Sequence, residues 1–475
     1  MNEALKMKWH SIYGQILQEK KLMNAWKQVK ANKGCGGIDN ETLESFQDKE
    51  EEKIQQILTE LKEKAYKPTP VKRVYIPKKN GEKRPLGIKD RIIQQSIVNV
   101  LSPKFEDGIF HKSSCGYRPD RGIERVMQII MWYIEKGNNH IYDCDIKGFF
   151  ENIPHKNMMK VLTKYIADGT VLDMIWSWLK SGYMEEGKHM ESNSGTQQGG
   201  VISPLLSNVY LNELDWELEK AGVKFVRYCD DFLLFGKTEE EIKRAGKIAN
   251  EIIESLGLEI AINKTKFVDF EKEDFDFVGF TFGHWRERKN GKGKYFMVEP
   301  TKKSFQDFKK KIKDATRRNL TLSQEAWIER VNPIIRGKVN YYLYPHKAVE
   351  KNKEYGLESH CYLKAFSGEL HKIDSYTRQR LRVSMIHKHP TVKKGMARKH
   401  KWNVEYFCKI KLIPSNWLYY NQMYGYTIEQ YVERQTNKNK KKNTRYVEKL
   451  KSQGIEYYTQ KRLESIAYSK SLVTS

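Results

Sequence analysis

Phe225-Val226-Arg227-Tyr228-Cys229-Asp230-Asp231-Phe232-Leu233-Leu234-Phe235 sets two short apolar runs on either side of a pair of adjacent carboxylates. Period and composition predict strands over Lys224–Tyr228 and Phe232–Phe235, joined by a tight turn that carries Asp230 and Asp231. Two neighbouring acids at the tip of an apolar hairpin repel each other and are costly to hold without a cation. A divalent metal is the obvious one. Asp-Asp turns on protein surfaces are common, so the weight of this reading comes from what else the chain carries.

Working outward, the next acids lie in His140-Ile141-Tyr142-Asp143-Cys144-Asp145-Ile146-Lys147-Gly148-Phe149-Phe150, a strand running out into a glycine turn and two aromatics. Asp143 and Asp145 share one face of that strand by its period of two. Asp145 and Asp230 are 85 residues apart, a separation that a fold can close and a local loop cannot. Between them, Gly195-Thr196-Gln197-Gln198-Gly199-Gly200-Val201-Ile202-Ser203-Pro204-Leu205-Leu206-Ser207-Asn208 has glycines that let backbone approach a ligand, then a Ser-Pro helix start.

Upstream, residues 1–60 read as helical, broken by the glycine-rich Asn32–Asp39, which lacks the order of a P-loop and reads as a loop facing nucleic acid. Lys72–Ile88 is a basic hairpin with its turn at Asn80-Gly81. It sets Lys78 and Arg84 on neighbouring strands as a clamp for a triphosphate. A helix is expected from Asp90 to Leu101, ending before Pro103; the turn-rich Ser114–Gly122 feeds another over Glu124–Glu135.

At 475 residues with a net charge of +25, the chain suits a phosphate-bearing partner better than a small metabolite. A 39% hydrophobic content and 12% aromatics argue for a folded, catalytic protein and against a ribosomal or histone-like one. No apolar run approaches the roughly 20 residues of a membrane span, and the start has no secretory h-region. The six cysteines have no CxxC spacing, against a zinc knuckle or disulfide framework, so a cytoplasmic protein with reduced thiols is expected.

Asp145-x-x-x-Phe149-Phe150, Gln198-Gly199-Gly200-Val201-Ile202-Ser203-Pro204, Tyr228-Cys229-Asp230-Asp231 and Gly279-Phe280 together resemble the reverse transcriptase signature, most of all that of bacterial group II intron-encoded enzymes. The likeness covers roughly residues 20–390, and Asn332–Tyr342 and Ile373–Arg382 are similar to the family's thumb and maturase region. Two departures are the shortened Gly87-Ile88-Lys89-Asp90-Arg91 and a Cys229 where Ala is usual. No cysteine follows Cys408, so the paired-cysteine endonuclease region of some intron proteins is not expected.

The resemblance implies an α/β (α+β) right-hand polymerase. Its parts are a helical extension (1–60), fingers and palm (61–285), an α-helical thumb and maturase-like region (298–390) and a basic C-terminal RNA-binding region (391–475). It implies RNA-directed DNA synthesis with two Mg²⁺ ions, Mn²⁺ being a substitute, held by Asp145, Asp230 and the backbone carbonyl of Ile146, with Asp231 as an outer ligand or a support. Phe150 would gate against a 2′-hydroxyl, Gln198 would line the nucleotide pocket, Lys78 and Arg84 would hold its phosphates, and Lys264 would stand near the pyrophosphate as a proton donor. The partners implied are a structured RNA, a template-primer duplex and dNTPs, with a maturase role in intron splicing and mobility. Intron-related enzymes also serve phage defence by copying a dedicated non-coding RNA, and an RNA-binding splicing chaperone is a third reading; the intact acids argue against the last.

Arg286–Arg318 holds 13 Lys/Arg against 4 Asp/Glu and interleaves Phe305 and Phe308, which suits a helical thumb lying along a duplex. Arg118, Lys309, Lys310, Lys311 and Arg336 are the expected nucleic-acid contacts. Gln435–Asn443 reads as a basic connector without fixed structure, before a last helix over 444–468.

Overall fold

The computed structural model describes residues 8–33, 41–69, 71–72, 74–75, 82–83, 86–185, 188–190, 193–196, 199–289, 291, 293–317, 322–363, 366–386, 401–452 and 460. The chain divides after Phe270 into two units, Met1–Phe270 and Glu271–Ser475. The stretch from 271 to 285, assigned to the palm on sequence, thus groups with the second unit.

The first unit is built on a five-stranded sheet in the order Lys266–Asp269, His140–Cys144, Asp231–Gly236, Lys224–Tyr228, Ser114–Cys115. All neighbours are antiparallel except the last pair, where Ser114 faces Arg227 and Cys115 faces Tyr228 in parallel. The central hairpin is apolar on both faces, with Phe225, Val226, Phe232, Leu233, Leu234 and Phe235 all buried. A strand covered on both sides reads as a continuous apolar run, as this one does.

Ile123–Glu135, Ser203–Lys220 and Glu239–Ser255 pack on the sheet. The last is started by the Thr238 hydroxyl, which accepts from the Glu241 amide at 3.2 Å, and by three glutamates in its first turn that favour the positive end of the helix dipole. Ser203–Lys220 begins with Pro204, whose missing N–H costs nothing in a first turn. Ile88–Glu106 runs on through Pro103, past the expected stop. Pro103 falls in the last turn, and its carbonyl still accepts from the Asp107 amide at 3.1 Å. Val74 pairs with Lys83 and Tyr75 with Glu82; the expected Asn80-Gly81 turn lies outside the described residues, as does the glycine-rich 34–39.

The second unit opens with a four-stranded sheet, Phe275–Phe277, Phe280–Glu287, Lys294–Pro300 and Cys361–Tyr362, and continues as helices. Its core joins Phe305, Phe308 and Ile312 of Lys302–Ala315 to Trp327, Val331, Ile335 and Val339 of Gln324–Tyr342 and to Leu370, Ile373 and Leu381 of Ser367–Met385. Buried Asp374 caps the helix Ser415–Tyr424, its Oδ1 accepting from the Ser415 amide and hydroxyl, both at 2.6 Å. A helix over Ile428–Ser452 crosses the stretch expected to be an unstructured connector, which corrects that expectation. Among the described residues no helix is long and apolar enough to cross a membrane.

Candidate active site

The hairpin register pairs Tyr228 with Asp231, so only Cys229 and Asp230 form the turn and Asp231 opens the returning strand. Cys229 sits at φ 61°, the left-handed region that a two-residue hairpin turn demands. For a residue with a Cβ that costs about 1–2 kcal/mol and persists only where the surroundings hold it. Gly116 makes room beside it: a Cβ there would lie 2.5 Å from the Cys229 sulfur.

His140–Cys144 is the next strand in the sheet, with Asp143 facing Leu233, and Asp145 follows its end. The segment after it is pinned to residues 259–261: the Lys147 amide donates to the Glu259 carbonyl at 2.9 Å and the Ala261 amide to the Asp145 carbonyl at 2.8 Å. These two bonds bracket the Ile146–Ile260 bridge, and neither uses the carbonyl of Ile146. The same loop turns through Lys264, whose amide bonds the Ala261 carbonyl and whose ammonium donates to Asp145 Oδ2 at 2.7 Å.

The fold thus brings Asp145, Asp230, Asp231 and Lys264 to one end of the sheet. The electrostatics are those of a site short of positive charge. Burial, then repulsion from Asp230, Asp145 and Asp143, pushes the Asp231 carboxyl up to about 6. Burial raises Asp230 also, with the Asp145 charge adding to it. The hydrogen bond and charge of Asp145 raise Lys264. Among the described residues no three His, Cys, Asp or Glu side chains close on a point to hold an ion unaided. Carboxylates without nitrogen or sulfur ligands fit a hard divalent cation that completes its shell with water and substrate phosphates.

Phe150 lies in the short helix Phe149–Asn152, entered through Gly148 at φ 52°. Phe149 is buried in the core and Phe150 half-buried beside it, ring centroids 5.4 Å apart. The start of the glycine motif clasps this turn: the Thr196 amide donates to the Phe150 carbonyl and the Gly195 amide to the Ile153 carbonyl, both at 2.8 Å. A Cβ on Gly195, at φ 87°, would meet the carbonyl oxygens of Phe150 and Glu151 at 2.8 Å, so only glycine fits. Lys78, Arg84 and Gln198 lie outside the described residues.

Arg118 corrects the sequence reading. Its side chain is only 2% exposed. Its Nε and Nη2 donate to Glu106 at 2.8–3.2 Å and its Nη1 to the carbonyls of His111 at 2.8 Å and Ser114 at 2.6 Å, so it is buried as a brace of the fold and does not face nucleic acid. In the second unit, Lys310 and Lys311 are exposed and Lys309 half-exposed on Lys302–Ala315, and Arg336 is exposed on Gln324–Tyr342. Lys338, stacked near the rings of Tyr341 and Tyr342 at 5.8 and 5.9 Å, is lowered by burial and then by the Lys311 charge.

Two features beside the acids escaped the sequence reading. Tyr117 stands beside the turn in the left-handed region at φ 56° and 57% exposed, and burial and then the Cys229 thiol push its hydroxyl up to about 12. Arg227 and Asp215 form an ion pair with side chains 1% and 0% exposed. The one signal for the second was an arginine inside a continuous apolar strand, where a buried charge demands a partner.

Residues 76–282 match the family model described as reverse transcriptase (RNA-dependent DNA polymerase), and 305–349 match the group II intron maturase-specific domain. Protein YkfC of Escherichia coli (strain K12) is 29% identical over 317 residues, 58% of this chain and 83% of its own length. The group II intron-encoded protein LtrA of Lactococcus lactis is 35% identical over 248 residues, 49% of this chain and 39% of that protein, so the chain spans about two fifths of that relative. A telomerase structure from Candida albicans aligns with 15% identity and a TM-score of 0.38 over 74% of this chain and 65% of that one.

Proposed function

We propose that this chain, a group II intron-like reverse transcriptase on the succession of its two matched domains, copies a structured RNA into DNA at the end of its five-stranded sheet and assists the splicing and mobility of the intron RNA that it binds. The observation that carries the reading is the convergence of Asp145, Asp230 and Asp231 with the Lys264 ammonium, inside the matched polymerase region. Asp145 and Asp230, with the carbonyl of Ile146, would hold divalent ions, Mg²⁺ by their oxygen-only chemistry. Bound there, such ions supply charge neutralisation on the attacking 3′-oxygen and on the departing pyrophosphate.

The chain's own groups do the rest. Lys264 offsets the charge of Asp145 and would deliver a proton toward the pyrophosphate. Phe150, its carbonyl held by the Thr196 amide, stands against the sugar and excludes a 2′-hydroxyl. Gln198, Lys78 and Arg84 orient the incoming dNTP, and Lys309, Lys310, Lys311 and Arg336 meet the template-primer backbone without reading sequence. Purified protein given an RNA template, a DNA primer, dNTPs and Mg²⁺ is expected to extend the primer, and to promote splicing of RNA transcribed from around its gene. No extension with either Mg²⁺ or Mn²⁺ overturns the polymerase reading; extension without any effect on splicing removes the maturase part.

A further inference from the structure

We infer that Arg227 is a positioning residue for the polymerase reaction: its buried guanidinium fixes the Cys229 carbonyl and, through it, the stance of the Asp230 carboxylate. The inference rests on Asp230 being a metal-holding acid. Arg227 sits two positions before the turn, on the sheet side covered by the helix Ser203–Lys220. A guanidinium has five N–H donors, and here each one has an acceptor. Nε donates to Asp215 Oδ1 at 2.8 Å. Nη2 donates to Asp215 Oδ2 at 2.5 Å and to the Ser114 hydroxyl at 2.6 Å. Nη1 donates to Asn208 Oδ1 at 3.0 Å and to the Cys229 carbonyl at 2.7 Å.

The turn is therefore tied at both ends of one residue. The Cys229 carbonyl is held by Arg227, and its amide donates to the Cys115 carbonyl at 3.0 Å. With both peptide groups of a left-handed residue fixed, the direction in which the chain presents Asp230 is fixed as well. The anchor is itself rigid, because Asn208 also donates to the Gly116 carbonyl at 3.0 Å. Three stretches conspicuous in the sequence for separate reasons, Ser114-Cys115-Gly116, the helix after Ser203-Pro204 and Tyr228-Cys229-Asp230-Asp231, thus meet on a single side chain.

A buried Arg–Asp pair is not needed for stability, since apolar residues of similar volume often serve as well. What an apolar side chain cannot do is hold a carbonyl at a set point. Lysine cannot either: three donors on a flexible stem do not reproduce the five-fold fork.

The test compares Arg227→Lys with Ser114→Ala, which removes a guanidinium contact that does not touch the turn. Mn²⁺ binding to the protein without nucleic acid is followed by electron paramagnetic resonance, alongside kcat and KM for dNTP and the thermal midpoint. Arg227→Lys is expected to weaken Mn²⁺ binding and lower kcat by about 10- to 100-fold, with KM for dNTP and RNA affinity within about twofold of wild type. Ser114→Ala is expected to lower the midpoint and leave Mn²⁺ affinity unchanged. If Arg227→Lys does not fold, Asn208→Ala, which loosens the same Nη1, takes its place with the same expectation. Wild-type Mn²⁺ affinity and kcat in Arg227→Lys, or an equal fall in Ser114→Ala, overturns the inference. Asp230→Asn is measured beside them: if it keeps Mn²⁺ binding and activity, the assignment of the acid has failed; if it loses both while Arg227→Lys does not, only the positioning role has.

Discussion

Asp231→Asn should make the metal-free protein more stable. In the fold its carboxyl holds a proton up to about 6, against an ordinary value of 3.8. That difference corresponds to about 3 kcal/mol charged against the native state once the group ionises. Asp231 keeps part of its surface open to solvent, so screening reduces the working figure to about 1 kcal/mol. The sign follows from proton counting. Between 3.8 and about 6 the native state binds more protons than the unfolded chain, so stability falls as pH rises through that window and the penalty is complete above it. Asparagine keeps the shape without the charge. Urea unfolding in EDTA at pH 8 is therefore expected to show the variant about 1 kcal/mol more stable, roughly 2 °C in thermal midpoint. The gain should vanish near pH 4, and Mg²⁺ should narrow it at pH 8 by stabilising the wild type more. A variant no more stable than wild type at pH 8 without metal refutes the account of a crowded, cation-deficient acid cluster.

Phe150→Ala should open the sugar pocket and reduce discrimination against ribonucleotides by about tenfold or more in competing dNTP and rNTP extension; unchanged discrimination removes the gate. Replacing Lys309, Lys310 and Lys311 together with Gln should weaken template-primer binding and flatten its salt dependence by roughly one unit of slope per lost phosphate contact; wild-type affinity and slope would contradict the assignment. Burial pushes His346, bonded to the Tyr419 hydroxyl, down to about 4 from 6.5. The unfolded chain then binds the extra proton, so the second unit should lose up to about 3 kcal/mol as pH falls from 6.5 toward 4. His346→Leu should flatten that slope, and a slope unchanged in the variant would refute it.

The hairpin and its acids were legible because alternation, apolar runs and a short polar break are local signals, and the register departed only in drawing Asp231 into the strand. Contacts far apart in sequence were not. Arg118 in a Gly- and Pro-bearing loop looks like a phosphate contact until Glu106, twelve residues earlier, is folded against it. Arg227 looked like one polar residue in a strand because its acceptors sit at 114, 208, 215 and 229. The basic run 435–443 has the composition of a disordered tail. Buried Tyr431, whose hydroxyl donates to Asp374 at 3.3 Å, docks the start of the helix that carries it.

The most direct test of the polymerase site is Asp230→Asn, assayed in parallel for primer extension on an RNA template and for RNA affinity. If Asp230 holds the ions, extension should fall by several orders of magnitude, while RNA affinity, set by the basic surface, should stay at or slightly above the wild-type value. Primer extension surviving in Asp230→Asn would contradict the placement of the site.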